Sequence, residues 1–299
     1  MNKIKDIIVV NTYDELYELV RDENIYLGNI DTSKITSFKH LFLRSKRKDF
    51  SGIENWNTSN VEDMTLMFSE SMIGTIDLSK WNISKVENIS GMFLNSNFNG
   101  NISTWNTSNI IEMESTFANS SFNSDISSWN TSNVETMEGL FYNSKFNLDI
   151  SKWNTGNVKN MNRTFAKTHF NQDISSWDMS NCLTSVSMFT GSDFNHYIND
   201  WNISNIENME SMFKDSGFNS NISSWNTCNV TNMGNMFENS CFNQDISLWN
   251  ISKVKDMSSM FKNTTFNNDL SSWDLEHVLF KKDMFLNSTI DKIKLPKNL

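Results

Sequence analysis

Residues 242–260 read FNQDISLWNISKVKDMSSM, and nearly the same line recurs along most of the chain. Trp249 sets its phase. Tryptophan also stands at positions 56, 81, 105, 129, 153, 177, 201, 225 and 273, so all ten share one register, with a first step of 25 residues and later steps of 24. Twelve residues after each comes a phenylalanine, from Phe68 to Phe285, and fifteen after comes serine or threonine. Seventeen after, Phe98 to Phe266 make a second aromatic row, with Ile73 and Ile290 at its ends. The unit is F-N-x-D-I-S-x-W-N-T-S-N-V-x-x-M-x-x-M-F-x-x-S. Self-similarity at such a period marks stacked repeats, each of which buries its apolar side only against its neighbours. A degenerate copy, IDTSKITSFKHLFLRS, begins at Ile30 and brings the number of coils to eleven.

Spacing within the unit predicts its local structure. Val61, Met64, Phe68 and Ser71 follow one another at steps of three, four and three, which places them on one side of a short helix. Ser59-x-x-Glu62, Ser84-x-x-Glu87, Ser132-x-x-Glu135 and Ser204-x-x-Glu207 match the capping box at its start. The F-N-x-D-I-S half, with Phe and Ile four apart, reads as a short strand whose Asn, Asp and Ser face outward. Asparagine after each tryptophan is expected to bond its own backbone in a turn and to repeat up the stack as an amide ladder. One short parallel strand and one short helix per 24-residue coil make an α/β repeat solenoid, leucine-rich-repeat-like. The alternative keeps both halves extended, as an all-β solenoid. Trp and Phe, held in strict phase beside Ile, belong to the core rather than to a ligand platform.

The motif at 242–260 resembles the BspA-like family of bacterial surface leucine-rich repeats, in the subgroup first noticed in mycoplasma lipoprotein-associated proteins. The resemblance covers about Ile30 to Ile290. It implies a solenoid and adhesion to host or partner-cell proteins, hence a place at the cell surface, and it carries no catalytic residue over.

Three segments follow: a strand–helix cap over 1–29, with Thr12-x-x-Glu15 opening a helix at Tyr13–Arg21; the solenoid over 30–289; and a C-terminal cap or tail over 290–299. The apolar run near the N-terminus, Ile7–Val10, is four residues long and is followed by Asp14, Glu15 and Glu18. It is too short and too charged for a membrane span or a secretory signal, which favours the cytoplasm over the surface.

The formal net charge is −10, and the body of repeats lacks the basic stripe that nucleic acid requires. Arg44, Lys46, Arg47 and Lys48 form the one basic cluster, read as a solvated loop between coils. Three cysteines (182, 228, 241) and four histidines (40, 169, 196, 277) fall at scattered phases. No zinc spacing, nucleophile elbow or phosphate loop occurs, so neither a metal nor a cofactor is expected, and the chain reads as no enzyme. Asp125, Asp149, Asp173, Asp245 and Asp269 share one phase and read as a solvated row rather than a calcium site. The Trp177 unit breaks pattern, with Cys182 for Val, Ser185 for Met, and His196-Tyr197 for the usual polar pair. The expected function is binding of a protein or cell-surface ligand through the polar Asn/Asp/Ser face, with contacts at Asn147, Asp149, Asn171, Asp173, His196, Tyr197, Asn219 and Asn221. The alternative is an intracellular structural or regulatory scaffold.

Overall fold

A computed structural model describes residues 7–299; Met1–Asp6, the start of the expected cap, lie outside the described residues. Ile8–Val9 (β1) pairs in parallel with Ile30–Asp31 (β2) at the entry to the first coil. Between them runs a helix, Tyr13–Arg21 (α1), whose first turn is closed by the Thr12 hydroxyl accepting from the Glu15 N–H. Leu16 and Val20 on its inner side are buried. Arg47 fixes this cap to the first coils. Its guanidinium is buried and donates to the carbonyls of Val20, Asp22, Ile25 and Asp49. The basic cluster is therefore not wholly a solvated loop, because four converging carbonyls hold the cation inside.

From Ser37 to Phe280 the repeats stack one upon another in parallel, each joined to the next by a bridge at the seventh residue after the tryptophan. No repeat holds an α-helix among the described residues. The segment expected to be helical is a ribbon of turns. In the Trp129 coil the N–H groups of Leu140, Tyr142 and Ser144 close turns onto the carbonyls of Met137, Gly139 and Phe141 at 2.9–3.1 Å. The alternate N–H groups, of Met137, Gly139, Phe141 and Asn143, donate to Asn160, Asn162, Thr164 and Ala166 in the following coil at 2.7–3.0 Å. Every second donor thus holds its own turn and the rest hold the neighbour, so the segment leaves few backbone groups unpaired.

This alternation needs a left-handed residue twice per coil, ten and fourteen residues after the tryptophan. Gly139 and Asn143 have φ of 60° and 50°, and the same two positions are left-handed in every coil, from His40 and Arg44 to Asp283 and Asn287. A helix cannot contain them. The buried set is nonetheless the one expected: Val134, Met137, Leu140, Phe141 and Ser144 point inward.

The F-N-x-D-I-S half differs too. Among the described residues it contains no strand and only sparse backbone bonds between coils, as from the Asn99 N–H to the Gly74 carbonyl; the asparagine after the phenylalanine holds successive coils together. The N–H of Asn147 donates to the Oδ1 of Asn123, and that of Asn171 to the Oδ1 of Asn147, each at 3.0 Å. The amide ladder therefore stands at this position. Asparagine after tryptophan caps its own turn, as expected, where Asn130 Oδ1 accepts from the Ser132 N–H.

Inside, phenylalanines from Phe42 to Phe285 stack ring over ring in one unbroken row with centroids 5.3–5.9 Å apart. Trp81, Trp105, Trp129, Trp153 and Trp177 stack at 6.0–6.5 Å with planes within 9°. The indoles from Trp56 to Trp249 also satisfy their one donor, as where Trp153 Nε1 donates to the Ile126 carbonyl of the preceding coil at 3.1 Å, whereas that of Trp273 has no partner among the described residues.

This geometry predicts the outcome of three substitutions. Trp153→Ala should cost about 3–5 kcal/mol in urea unfolding, the range of a large core truncation; a loss below about 1 kcal/mol would mean the indole faces water. Ser259 holds a φ of 53° with a small side chain, so Ser259→Gly should stabilise by about 1 kcal/mol, whereas a helical site would lose about as much. Gly191→Ala, at φ 63° with its nearest neighbour 3.8 Å from the new methyl, should destabilise by a similar amount.

Candidate functional site

The eight expected contact residues lie on one corner of the stack, in neighbouring coils, and all are exposed or half-buried. Most of their hydrogen-bonding capacity serves the fold. Asn147, Asn171 and Asn219 each spend the side-chain oxygen on the next coil's N–H, leaving the NH2 edge free. Asp149, Asp173 and Asn221 each accept the N–H of the serine two residues on, at 2.8–2.9 Å. His196 reaches the Asn171 carbonyl through Nε2 at 2.9 Å. Tyr197 is 49% exposed and donates its hydroxyl to Asp200 Oδ1 at 2.8 Å, which holds an aromatic ring upright on a polar surface. Tyr197 is thus the member of the set with most apolar area to offer.

The Asp row has the same local cause. Asp125, Asp149, Asp173 and Asp269 are held below the usual carboxylate range by the N–H of the following serine. Among the described residues no three His, Cys, Asp or Glu side chains group closely enough to hold a metal ion. Within the irregular Trp177 unit, Cys182 fills the valine place and burial pushes its thiol up to about 12. Ser185 fills the methionine place and turns its hydroxyl toward Met212 Sδ at 3.5 Å. The three cysteines are unpaired.

A second surface was not among the expected contacts. It lies on the turn ribbon, where residues six, seven, nine and fourteen after the tryptophan are exposed or half-buried in most coils, residue thirteen is buried at Ala118, Ala166 and Glu238, and the side chains differ from coil to coil. Salt bridges gather there: Glu135 with Lys159 at 2.7 Å, and half-buried Lys214 and Lys262 on either side of buried Glu238 at 2.7 and 3.2 Å. On the same face a groove of about 520 Å³ crosses the coils from Leu94 to Thr190. Ala118, Gly139 and Ala166 form its floor, and Tyr142, Arg163 and Lys167 stand along it. The signal was present in the sequence as Tyr142 between two alanines of the same phase.

The chain matches the model of DUF285, described as a Mycoplasma protein of unknown function, four times in overlapping stretches at 11–121, 73–168, 116–217 and 187–297. The chain belongs to this family. The four overlapping matches agree with the repeat read from the tryptophans, and the family description carries the mycoplasma connection but neither a leucine-rich repeat nor an activity. No curated protein matches the chain. No helix of the described residues is long and apolar enough to cross a membrane.

The lowered carboxylates set an expected pH dependence. Their charged forms are favoured in the folded chain, so this stabilisation is full above the ordinary carboxylate value of 3.8 and is lost as pH falls through the lower folded values. Urea midpoints should therefore drop steeply below about pH 4. In the triple variant Asp125→Asn, Asp149→Asn, Asp173→Asn the turns survive, as they do at Asn101 and Asn221, and the acid loss should shrink.

Proposed function

We propose that this DUF285 repeat protein is a non-enzymatic solenoid of the BspA-like kind that binds a protein or cell-surface partner, in a role of adhesion. What supports this reading above all is how the chain spends its side chains. Aromatic and aliphatic groups fill the interior of every coil, and the repeated Asn, Thr and Ser at the corners bond the next coil, leaving a long rigid exterior on which a minority of side chains vary. A rigid surface loses little ordering entropy on binding, so many weak contacts can sum to useful affinity.

The Asn/Asp corner supplies one set of contacts: the free amide edges of Asn147, Asn171 and Asn219, the carboxylates of Asp149 and Asp173, Asn221, and the His196–Tyr197 pair. Tyr197 carries the most weight among them, since tyrosines that are half-exposed and held in place are the common anchors of interfaces. The polar residues around it contribute complementarity more than energy.

The test is capture of the chain by immobilised extracellular-matrix proteins (fibronectin, laminin and collagen) over a dilution series, with Tyr197→Ala alongside. Saturable capture is expected, weakened about thirtyfold in the variant, the loss of about 2 kcal/mol that defines an anchor residue. Absence of capture at every concentration would remove the adhesion reading. Surface proteolysis of intact cells adds the location: protection of the chain until lysis would count against a surface role.

A further inference from the structure

We infer that the groove at Tyr142 binds an acidic peptide segment of a protein partner, with an apolar side chain seated toward Leu94 and a carboxylate held by Arg163 and Lys167. This deepens the interaction reading above and rests on it. Arg163 is the only arginine after Arg47, in a chain whose net charge is −10. Neither Arg163 nor Lys167 has a carboxylate within ion-pair distance among the described residues, whereas Lys159, Lys214 and Lys262 on the same face all do. Lys167 instead lies over the Tyr142 ring, 5.5 Å from its centre. Two exposed cations beside an aromatic ring, in the wall of a groove, suit a carboxylate brought by another molecule.

The rest of the groove decides what carries that carboxylate. Toward its other end lie Leu94, half-buried, and Ala118, buried, with no charge between them. Leu94 and Lys167 are three coils apart, about 15 Å at a parallel-strand spacing. An extended peptide covers that in four or five residues. A ligand with an apolar group at one end and an acid at the other matches this polarity; a compact acidic sugar would leave the Leu94 end empty. Backbone pairing cannot contribute, because the ribbon's N–H and C=O groups beneath the groove are already bonded to their own turns or to adjacent coils. Recognition must therefore come from side chains. Glu138, whose carboxylate accepts from Asn160 Nδ2 at 2.8 Å, borders the groove and would repel an acid placed anywhere but the Arg163 end.

A random decapeptide library displayed on phage and selected on the whole chain at low salt tests the proposal, with Arg163→Gln/Lys167→Gln and Tyr142→Ala as companions. Both cations are exposed, so the double variant should keep the wild-type thermal midpoint. Selected peptides are expected to carry Asp or Glu four or five residues from Leu, Ile, Val or Met. Their affinity should fall at least tenfold in the double variant and also fall in Tyr142→Ala. Selection without acidic enrichment, or equal affinity for the double variant, overturns the proposal. So does hexagalacturonate binding that needs the two cations when no acidic peptide is selected, since the groove would then be a sugar site. Matrix-protein capture separates the two readings. Equal capture of wild type and double variant, with no acidic peptide selected, leaves the interaction reading standing and removes the groove. Peptide binding without matrix capture keeps the groove and removes adhesion.

Discussion

The stack depends on one constraint: along the ribbon, alternate backbone N–H groups must point along the axis to the next coil while the others close turns within their own. That alternation forces a left-handed residue at two fixed places in each coil, occupied by glycine at 91, 139 and 191, by asparagine at 95, 119, 143, 235, 239, 263 and 287, and elsewhere mostly by serine or a charged residue. Left-handed backbone costs an ordinary residue roughly 1–2 kcal/mol, so the arrangement stands only where its neighbours determine it. They do so through four axial bonds and a face-to-face phenylalanine in the same eight residues. Neither suffices alone. A single coil would have no acceptor for half its donors and no ring to lie against.

The odd composition has its origin here. Away from the ribbon backbone bonds between coils are sparse, as from the Asn99 N–H to the Gly74 carbonyl and from the Leu270 N–H to the Lys294 carbonyl, and polar side chains make up the difference. Asparagine after phenylalanine offers its Oδ1 to the next coil. Threonine two residues after tryptophan reaches forward, as Thr131 Oγ1 does to the Asn154 carbonyl at 2.9 Å. Asparagine four after tryptophan reaches back, as Asn157 Nδ2 does to the Ser132 carbonyl at 2.6 Å. Side chains that compete with the backbone in a helix or strand here substitute for it. An excess of Asn and Ser, which in another chain would signal disorder, is the fastening of this one.

The repeat, its phase and its core were legible in the sequence because burial repeats in register with the stack. Val134, Met137, Phe141 and Ser144 were placed inward from their spacing alone. The shape of the backbone between them was not legible. Steps of three and four residues bring side chains to one side of a helix, and a run of overlapping four-residue turns does the same, so periodicity could not separate the two. The distinguishing signal lay elsewhere, in Gly91, Gly139 and Gly234 and in asparagines at 95, 119 and 143, all poor helix formers in mid-segment. The contact corner was legible as a polar face. That its Asn and Asp oxygens are engaged with neighbouring N–H groups needed the coordinates, since a solvated polar row and a bonding one look alike in a string of letters.

Saturation of the backbone also bears on how such a stack can bind anything. A sheet with an open edge can add a partner's strand, drawing affinity from main-chain bonds that ignore sequence. Along the flank of this ribbon those bonds are spent, so a partner meets only side chains. In a chain this repetitive, side chains that recur in every coil are committed to the fold, and discrimination must rest on the ones that depart from the pattern. Departures are few, and two clusters of them stand out. One is His196 and Tyr197 at the polar corner; the other is Tyr142, Arg163 and Lys167, where an aromatic ring stands beside two cations that have no carboxylate partner among the described residues. Regularity builds the scaffold cheaply in sequence, and it confines specificity to the places where regularity fails.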